Sequence, residues 1–445
     1  MMITRTLCIC FLMPCMARAQ STDSLPSPWS WHFQSTVIAQ KHSGFRSPYK
    51  GNNSLADTVE PIATSLSATL FIGRRLWKGA SLYVNPEITG GKGLSFTTGV
   101  AGALNGETYR VGHVEPQVYI ARAYLEQQIP LDNSSYEQME DDINQMSGYL
   151  PSHRITISVG KFSLSDFFDD NSYAKDPRTQ FFNWSIWANG AWDYPANTRG
   201  YTYGLVAGWY KPGWAVRLSS VAVPRIANNS SLEYRFSRAF SETLELERNY
   251  SIRKKPGAIR LVLSRTASRA PSYEDGLKAL SNGSSYIPAV IAGDTVNDQF
   301  GGRKFSVGLN LEQSLSPATG VFARIGWNDG QYASWAFTEI DRTVSVGMLI
   351  DGRSWKRPDD SWGIAVSING LSKAHRQYLA AGGYGFIIGD GALNYGHEAI
   401  VETFYNTALN GFCHLSFDYQ FVQHPAFNKD RGPVHVFALR VHISW

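Results

Sequence analysis

The carboxyl-terminal stretch PVHVFALRVHISW, residues 433–445, alternates apolar and polar side chains at a period of two. Its apolar members are Phe437, Leu439, Val441, Ile443 and Trp445, and small or polar residues stand between them. Because successive side chains of a strand point to opposite faces, this strand has one apolar face and one hydrated face. A strand of a soluble β-sandwich shows the same alternation. Here the pattern recurs along a chain that also carries an export signal, which favours an outer-membrane β-barrel with lipid outside and water inside.

The export signal is predicted over residues 1–19. Arg5 forms the positive region, residues 7–13 form a short apolar core, and Ala17-Arg18-Ala19 matches a cleavage site. The apolar core is shorter than the roughly 20 residues needed to span a bilayer, so a membrane anchor is disfavoured. We therefore expect export through the Sec pathway and a mature barrel domain over residues 20–445.

The composition fits one large barrel. Aromatic residues make up 13% of the chain, charged residues 18%, and 40 residues are glycine, as aromatic girdles and tight turns require. The formal charge of +4 is too small for a nucleic-acid-binding protein. Three of the four cysteines lie in the predicted signal, so Cys413 alone remains in the mature chain and an intrachain disulfide is excluded.

Sixteen alternating segments predict a transmembrane antiparallel β-barrel of sixteen strands, and eighteen strands are the alternative. The segments lie near 29–40, 64–74, 80–89, 113–128, 152–163, 200–210, 213–223, 244–252, 257–266, 302–314, 318–328, 335–350, 360–370, 394–407, 411–423 and 433–445. The predicted connections alternate between short periplasmic turns and long outer loops, as barrels of this type require. The exception is the long, acidic connection 129–151, which falls on the periplasmic side.

The segment 164–199 is long, has no strand pattern and is rich in aromatic residues, among them Trp184. Loops of this length are usually functional or disordered, and so many rings need a surface to pack on. We interpret it as a loop that folds into the barrel and narrows the pore; an extracellular cap is the alternative. Aromatic rings beside Asp166 and Arg178 suit sugars, because rings contact the C–H faces and polar groups exchange hydrogen bonds with the hydroxyls.

The alternation also predicts which charged side chains face the lumen. The inward set comprises Arg217, Arg260, Arg324, Arg440, Glu87 and Glu402. In segment 113–128 the phase is broken: Arg122 faces inward only if Val118 and Ile120 do so too, unless a β-bulge resets the register. A single arginine on the water-filled side of a barrel usually forms an ordinary ion pair. The whole set of inward arginines favours a role in solute selection.

An enzyme is disfavoured. Asp166, Asp169 and Asp170 form a carboxylate cluster of the type that glycoside hydrolysis uses, but three carboxylates in one loop are more often solvated. The sequence contains no G-x-S-x-G elbow and no H-E-x-x-H motif. We expect no cofactor and no metal.

Several stretches resemble the carbohydrate-selective outer-membrane porins of the OprB family. They include VEPQVYIARAYLEQ (114–127), GKFSLSDFFDDNSYAKDPRTQFFNWS (160–185) and HPAFNKDRGPVHVFALRVH (424–442). The resemblance implies a sixteen-stranded porin in the outer membrane of a Gram-negative bacterium, through which glucose and other sugars diffuse passively. It also implies a narrow channel edged by arginines and acidic residues. Arg122 lies in one matching block, as does Glu115, and Asp166 lies in another.

The partners expected are carbohydrate solutes and outer-membrane lipid, with no nucleic acid, and the choice between monomer and trimer stays open. The first rival function is a general or anion-preferring porin. Glu87, Glu115 and Glu402 among the arginines argue for neutral solutes instead. A barrel adhesin or a barrel enzyme is the more distant rival.

Overall fold

Sixteen strands close into one antiparallel barrel in the computed structural model, which describes residues 27–110, 114–132 and 135–445. The predicted signal, residues 1–19, lies outside the described residues. The barrel strands are β1 (Trp29–His42), β2 (Ala63–Trp77), β3 (Ala80–Gly91), β4 (Gln117–Pro130), β7 (Arg154–Phe162), β8 (Thr202–Lys211), β9 (Trp214–Val221), β12 (Phe240–Ile252), β13 (Lys255–Ser268), β14 (Gly302–Ser316), β15 (Thr319–Asn328), β16 (Arg342–Asp351), β17 (Ser361–Gly370), β18 (Glu398–Asn410), β19 (Cys413–Gln423) and β20 (Val434–Ser444). Strand β1 pairs with β20, so the sheet has no free edge. The sixteen-stranded prediction is confirmed.

Four further strands form two small hairpins within the described ranges. They are β5 (Tyr136–Met139) with β6 (Gly148–Pro151), and β10 (Val223–Pro224) with β11 (Leu232–Glu233). The helices in these ranges are short: α1 (Trp184–Trp187), α2 (Tyr273–Ser281), α3 (Tyr286–Ile291) and α4 (Lys373–Ala380). None of the described helices has the length and apolarity that crossing a bilayer would require.

The two faces of the strands differ as the alternation predicts. On β20, Phe437 is 57% exposed on the outer surface, whereas Arg440, three residues further along, is fully buried inside the barrel. Exposed tryptophans ring the end with the short connections, among them Trp29, Trp77 and Trp445. An apolar outer band that ends in aromatic rings is the surface a barrel presents to lipid.

Connections at the two ends of the barrel differ in length. One end carries the short ones, 78–79, 212–213, 253–254, 317–318, 352–360 and 411–412, together with the long connection 131–153. The opposite end carries the long loops 43–62, 92–116, 163–201, 222–239, 269–301, 329–341, 371–397 and 424–433. This asymmetry matches the predicted alternation of turns and loops.

A β-bulge resolves the broken phase of segment 113–128. The pairing of β3 with β4 shifts between Asn85, opposite Arg122, and Pro86, opposite Ile120, so Ala121 is the extra residue. Proline cannot donate to the ladder, which explains why the irregularity falls there. Above the bulge Val118 is 73% exposed on the outside, and below it Arg122 faces inward.

One predicted strand begins later than the sequence pattern indicated. The segment 335–350 becomes a strand only from Arg342, because the preceding residues serve the outer loops. The backbone N–H groups of Trp335, Ala336 and Phe337 donate to the carboxylate of Asp193, at 2.7, 3.0 and 2.8 Å. These donors are therefore unavailable to a neighbouring strand.

Candidate channel constriction

The connection 163–201 between β7 and β8 folds into the barrel, as predicted, and the barrel wall holds it there. Arg324 of β15 donates to the carbonyls of Ala174 and Ile186, at 2.8 and 3.0 Å, and to Asp169. Glu402 of β18 accepts from the backbone N–H groups of Phe182 and Asn183, at 2.5 and 3.0 Å. Strands β15 and β18 lie across the barrel from β7 and β8, where the loop begins and ends, so the loop spans the lumen.

The anchoring contacts follow from the loop's lack of regular structure. A buried loop leaves backbone N–H and C=O groups without ladder partners, and each unpaired group costs free energy. Arg440 of β20 supplies two such partners by donating to the carbonyls of Pro177 and Gln180. Charged side chains of the lumen therefore supply the hydrogen bonds that regular secondary structure would otherwise give the loop backbone.

Beside the anchored loop, a cavity of about 1330 Å³ runs along the inside of the barrel wall. Gly79 lines it at the end with short turns, and Thr108 and Arg199 line it near the outer loops. Half of the sequence-predicted channel residues line this cavity: Glu87, Arg122, Asp166, Arg178 and Trp184.

Arg122 and Asp166 form the central ion pair of the cavity. Nε and Nη2 of Arg122 each lie 2.7 Å from a different carboxylate oxygen of Asp166. The guanidinium also lies 5.3 Å from the ring centre of Tyr201. The remaining nitrogen, Nη1, is buried and has no hydrogen-bond partner among the described residues. Nη1 is therefore an orientated donor that lies just behind the cavity surface.

A second charged group surrounds Glu87 of β3. Arg178 of the loop donates to Glu107 at 2.9 Å and approaches Glu87 at 3.4 Å. Glu87 also accepts from the hydroxyls of Tyr119 and Tyr201, at 2.5 and 2.9 Å. This network fixes one side of the cavity with side chains that both donate and accept hydrogen bonds.

Aromatic rings form another part of the cavity lining. The Trp184 ring is nearly parallel to the Tyr194 ring, with centres 5.4 Å apart, and stacks on Phe337 at 4.4 Å. Trp187 packs edge-on against Trp184. The indole N–H groups of Trp184 and Trp187 are buried without an acceptor in the described part of the chain. Flat aromatic rings are suited to the C–H faces of a polyhydroxylated solute.

The other predicted residues are placed away from this cavity. Arg217 and Arg260 lie on the lumen wall and share Glu247, at 2.9 and 3.1 Å. Arg324 and Glu402 are fully buried in the anchoring contacts already described. Glu115 is exposed in the loop before β4, outside the cavity lining.

The structure also brings in residues that sequence reasoning missed. Tyr119 and Tyr201 contact Glu87, and the guanidinium of Arg199 lies 4.1 Å from the centre of the Tyr119 ring. Tyr119 was not predicted because the bulge turns its side chain inward, whereas simple alternation from Arg122 places it on the outer face. Phe337 was not predicted because the sequence pattern assigns its segment to a strand, whereas the structure places it in a loop.

The model of the carbohydrate-selective porin family OprB matches residues 57–445. The high-pH structure of Pseudomonas putida OprB aligns with 94% of this chain and 94% of its own, with 14% identity and a TM-score of 0.66. The outer-membrane channel DcaP of Acinetobacter baumannii aligns with 94% of this chain and 97% of its own, with 9% identity and a TM-score of 0.51. At these identities the two structures show a shared fold. No curated protein matches the sequence significantly. The family model covers most of the chain, so the protein belongs to the OprB family of carbohydrate-selective porins and is a sugar-selective channel of the Gram-negative outer membrane.

Proposed function

We propose that glucose and similar neutral sugars diffuse passively through the cavity beside the inward loop, and that Arg122, Asp166 and Trp184 form its selective constriction. Arg178 and Glu87 complete the polar wall. The observation that carries the proposal is that the Arg122–Asp166 pair, the Arg178–Glu87 contact and the ring of Trp184 line one cavity beside the inward loop.

Sugar passage requires that binding be favourable but weak. A sugar hydroxyl that exchanges hydrogen bonds with the charged side chains of the cavity wall recovers part of its lost hydration. The stacked rings contact the C–H faces of the sugar at the same time. Because Arg122 and Arg178 are already paired with carboxylates, a neutral sugar forms no ion pair with them and can leave again.

The balance of charge favours neutral solutes over the anion-preferring alternative. The cavity network has three arginines, Arg122, Arg178 and Arg199, and three carboxylates, Asp166, Glu87 and Glu107. An anion therefore meets no excess of positive charge at this level. Arg217 and Arg260 are likewise paired with glutamates.

A channel rather than an enzyme is supported by the separation of the aspartate cluster. Asp166 pairs with Arg122, Asp169 with Arg324 and Asp170 with Lys175. Each carboxylate has its own cation, whereas glycoside hydrolysis needs two carboxyl groups that flank one bond. We further propose that residues 20–445 form the mature porin, with lipid on its apolar belt, after removal of residues 1–19.

Liposome swelling tests the proposal. Vesicles that contain the refolded protein are diluted into isotonic glucose or isotonic sodium gluconate, an anion of similar size. We expect faster swelling in glucose. Equal or faster swelling in gluconate would support the general or anion-preferring porin instead, and no swelling in either solute would exclude passive sugar diffusion.

A further inference from the structure

The connection 131–153 between β4 and β7 is long for the periplasmic end of this barrel. The other connections at that end have between two residues, as in 78–79, and nine, as in 352–360. Within it, β5 pairs with β6, and Asp142 and Gln145 form a bridge near the tip. It is therefore a folded hairpin, which we call the periplasmic hairpin.

The periplasmic hairpin points into the barrel and is fixed to its wall. The side chain of Asn85 on β3 donates to Oδ1 of Asn144 at 2.9 Å, and Nη2 of Arg75 on β2 donates to the carbonyl of Ser147 at 2.6 Å. Asn85 is fully buried and lies directly opposite Arg122 in the pairing of β3 with β4. The hairpin tip thus reaches the level of the Arg122–Asp166 pair.

The barrel wall leaves room for the hairpin at one glycine. A Cβ on Gly73 of β2 would lie 2.8 Å from the sulfur of Met146 and 3.3 Å from the ring of Tyr83. A side chain at position 73 would require the side chain of Met146 to shift. The close approach shows that the hairpin packs on the inner wall rather than hanging below the barrel.

The hairpin also lines the solute cavity. Ile143, Met146 and Tyr149 face the same cavity as Arg122, and Phe167 of the inward loop lines it too. The path below Arg122 is therefore bounded by the inward loop and by the periplasmic hairpin. Removing the hairpin would leave this part of the path bounded by the loop and the bare wall.

We propose that the periplasmic hairpin forms the exit side of the constriction and sets the largest sugar that passes. This inference rests on the proposed function, because it assigns the size limit of the same sugar path. Selection by pore diameter is a general device of channels and needs no tight binding site. The residues around Arg122 contact the sugar, and the periplasmic hairpin limits the size of the sugar that passes.

Excision of the hairpin tests the size limit. Residues 133–150 are replaced by an Asn-Gly turn, and liposome swelling is compared in glucose, a disaccharide and a trisaccharide. We expect the glucose rate to stay within about twofold and the trisaccharide rate to rise about fivefold or more. An unchanged ratio of trisaccharide to glucose rates in the folded variant would overturn the inference.

A chemical test keeps the inference falsifiable if the excised variant does not fold. In a Cys413→Ser background, Ile143→Cys places one thiol on the exposed, cavity-facing part of the hairpin. A bulky methanethiosulfonate reagent should then lower the single-channel current and slow disaccharide swelling. The matched control is Asp359→Cys, which is exposed in a short connection at the same end.

The outcomes separate this inference from the proposed function. Glucose swelling by the unmodified protein with no effect of modifying Ile143→Cys refutes the role of the hairpin alone. Equal effects at Asp359→Cys would show nonspecific damage and would also remove support for the hairpin. Absence of glucose swelling in the unmodified protein refutes the proposed function itself.

Discussion

Arg122 of β4 and Asp166 of the inward loop are joined by two parallel hydrogen bonds of 2.7 Å each. This pair connects the barrel wall to the loop that crosses the lumen, and it leaves Nη1 of Arg122 without a protein acceptor in the described ranges. A bidentate pair of this kind fixes the orientation of the guanidinium. The wall and the loop together therefore hold this polar part of the cavity lining in a fixed orientation.

Arg122→Ala should weaken glucose binding and raise the open-channel conductance modestly. A hydrogen bond from a charged group contributes about 1.5–3 kcal/mol, so the concentration for half-maximal block should rise about tenfold or more. The measurement is glucose block of single-channel current. Arg353→Ala is the control, because Arg353 is exposed in a periplasmic turn and pairs with Asp351. Unchanged block would remove Arg122 from the sugar site.

Trp184→Phe should weaken glucose block less than Arg122→Ala does. The phenyl ring keeps the stacking on Tyr194 and Phe337 but offers the sugar a smaller aromatic face, which corresponds to about 1 kcal/mol or roughly fivefold in binding. Trp192→Phe is a matched control, because its indole is also buried and unpaired within the described ranges but does not line the large cavity. Equal effects of the two substitutions would contradict the assignment.

Arg324→Met should loosen the inward loop. Arg324 is fully buried and holds Asp169 and the carbonyls of Ala174 and Ile186, so its loss leaves the buried carboxylate of Asp169 without a cation. Removing one partner of a buried pair costs about 3–5 kcal/mol. We expect larger, fluctuating currents in planar bilayers. The lipid-facing substitution Ile325→Val should keep steady currents, and a steady, unaltered current in Arg324→Met would show that other contacts suffice.

The folding stability of the barrel should fall in acid because of Asp360, which lies in the periplasmic connection 352–360. Burial opposes its ionisation, but hydrogen bonds from Arg357, Tyr405 and the N–H of Ala408 outweigh burial and lower the pKa of Asp360 to about 2. A lowered folded pKa contributes stability above the unfolded value near 3.9, which is lost as the pH falls toward about 2.

The matching experiment follows thermal unfolding of the detergent-solubilised barrel between pH 6 and pH 2. The pair contributes about 1–2 kcal/mol at the water-exposed end of the barrel, and Asp360→Asn should remove this contribution at neutral pH. The variant should therefore lose less stability than the unaltered protein on acidification. Parallel unfolding curves for both proteins would contradict the account.

The strands were predictable because lipid and lumen impose opposite chemistry on alternate residues. The pattern on Phe437, Leu439 and Arg440 gives the inward and outward faces without any tertiary information. Pro, Gly and Asn in the turns then fix the alternation of short and long connections. The bulge at Ala121 could be suspected from the broken phase, but its position needed the pairing of Asn85 with Arg122.

The site was predictable only in part because alternation gives the face of a side chain but not its depth or its partner. Arg122 and Arg324 have similar sequence surroundings, yet the first lines the cavity and the second is fully buried against the loop. The difference depends on where segment 163–201 passes through the lumen. Likewise, nothing in the local pattern of 131–153 shows that its tip reaches Asn85.

The central claim is that the constriction beside the inward loop binds neutral sugar weakly while it conducts. Single-channel current in a planar bilayer, titrated with glucose and compared with glycerol at equal osmolarity, tests it most directly. We expect small, steady openings that glucose blocks in a saturable manner at millimolar concentration and that glycerol reduces only through viscosity. Openings that respond identically to glucose and glycerol would contradict it.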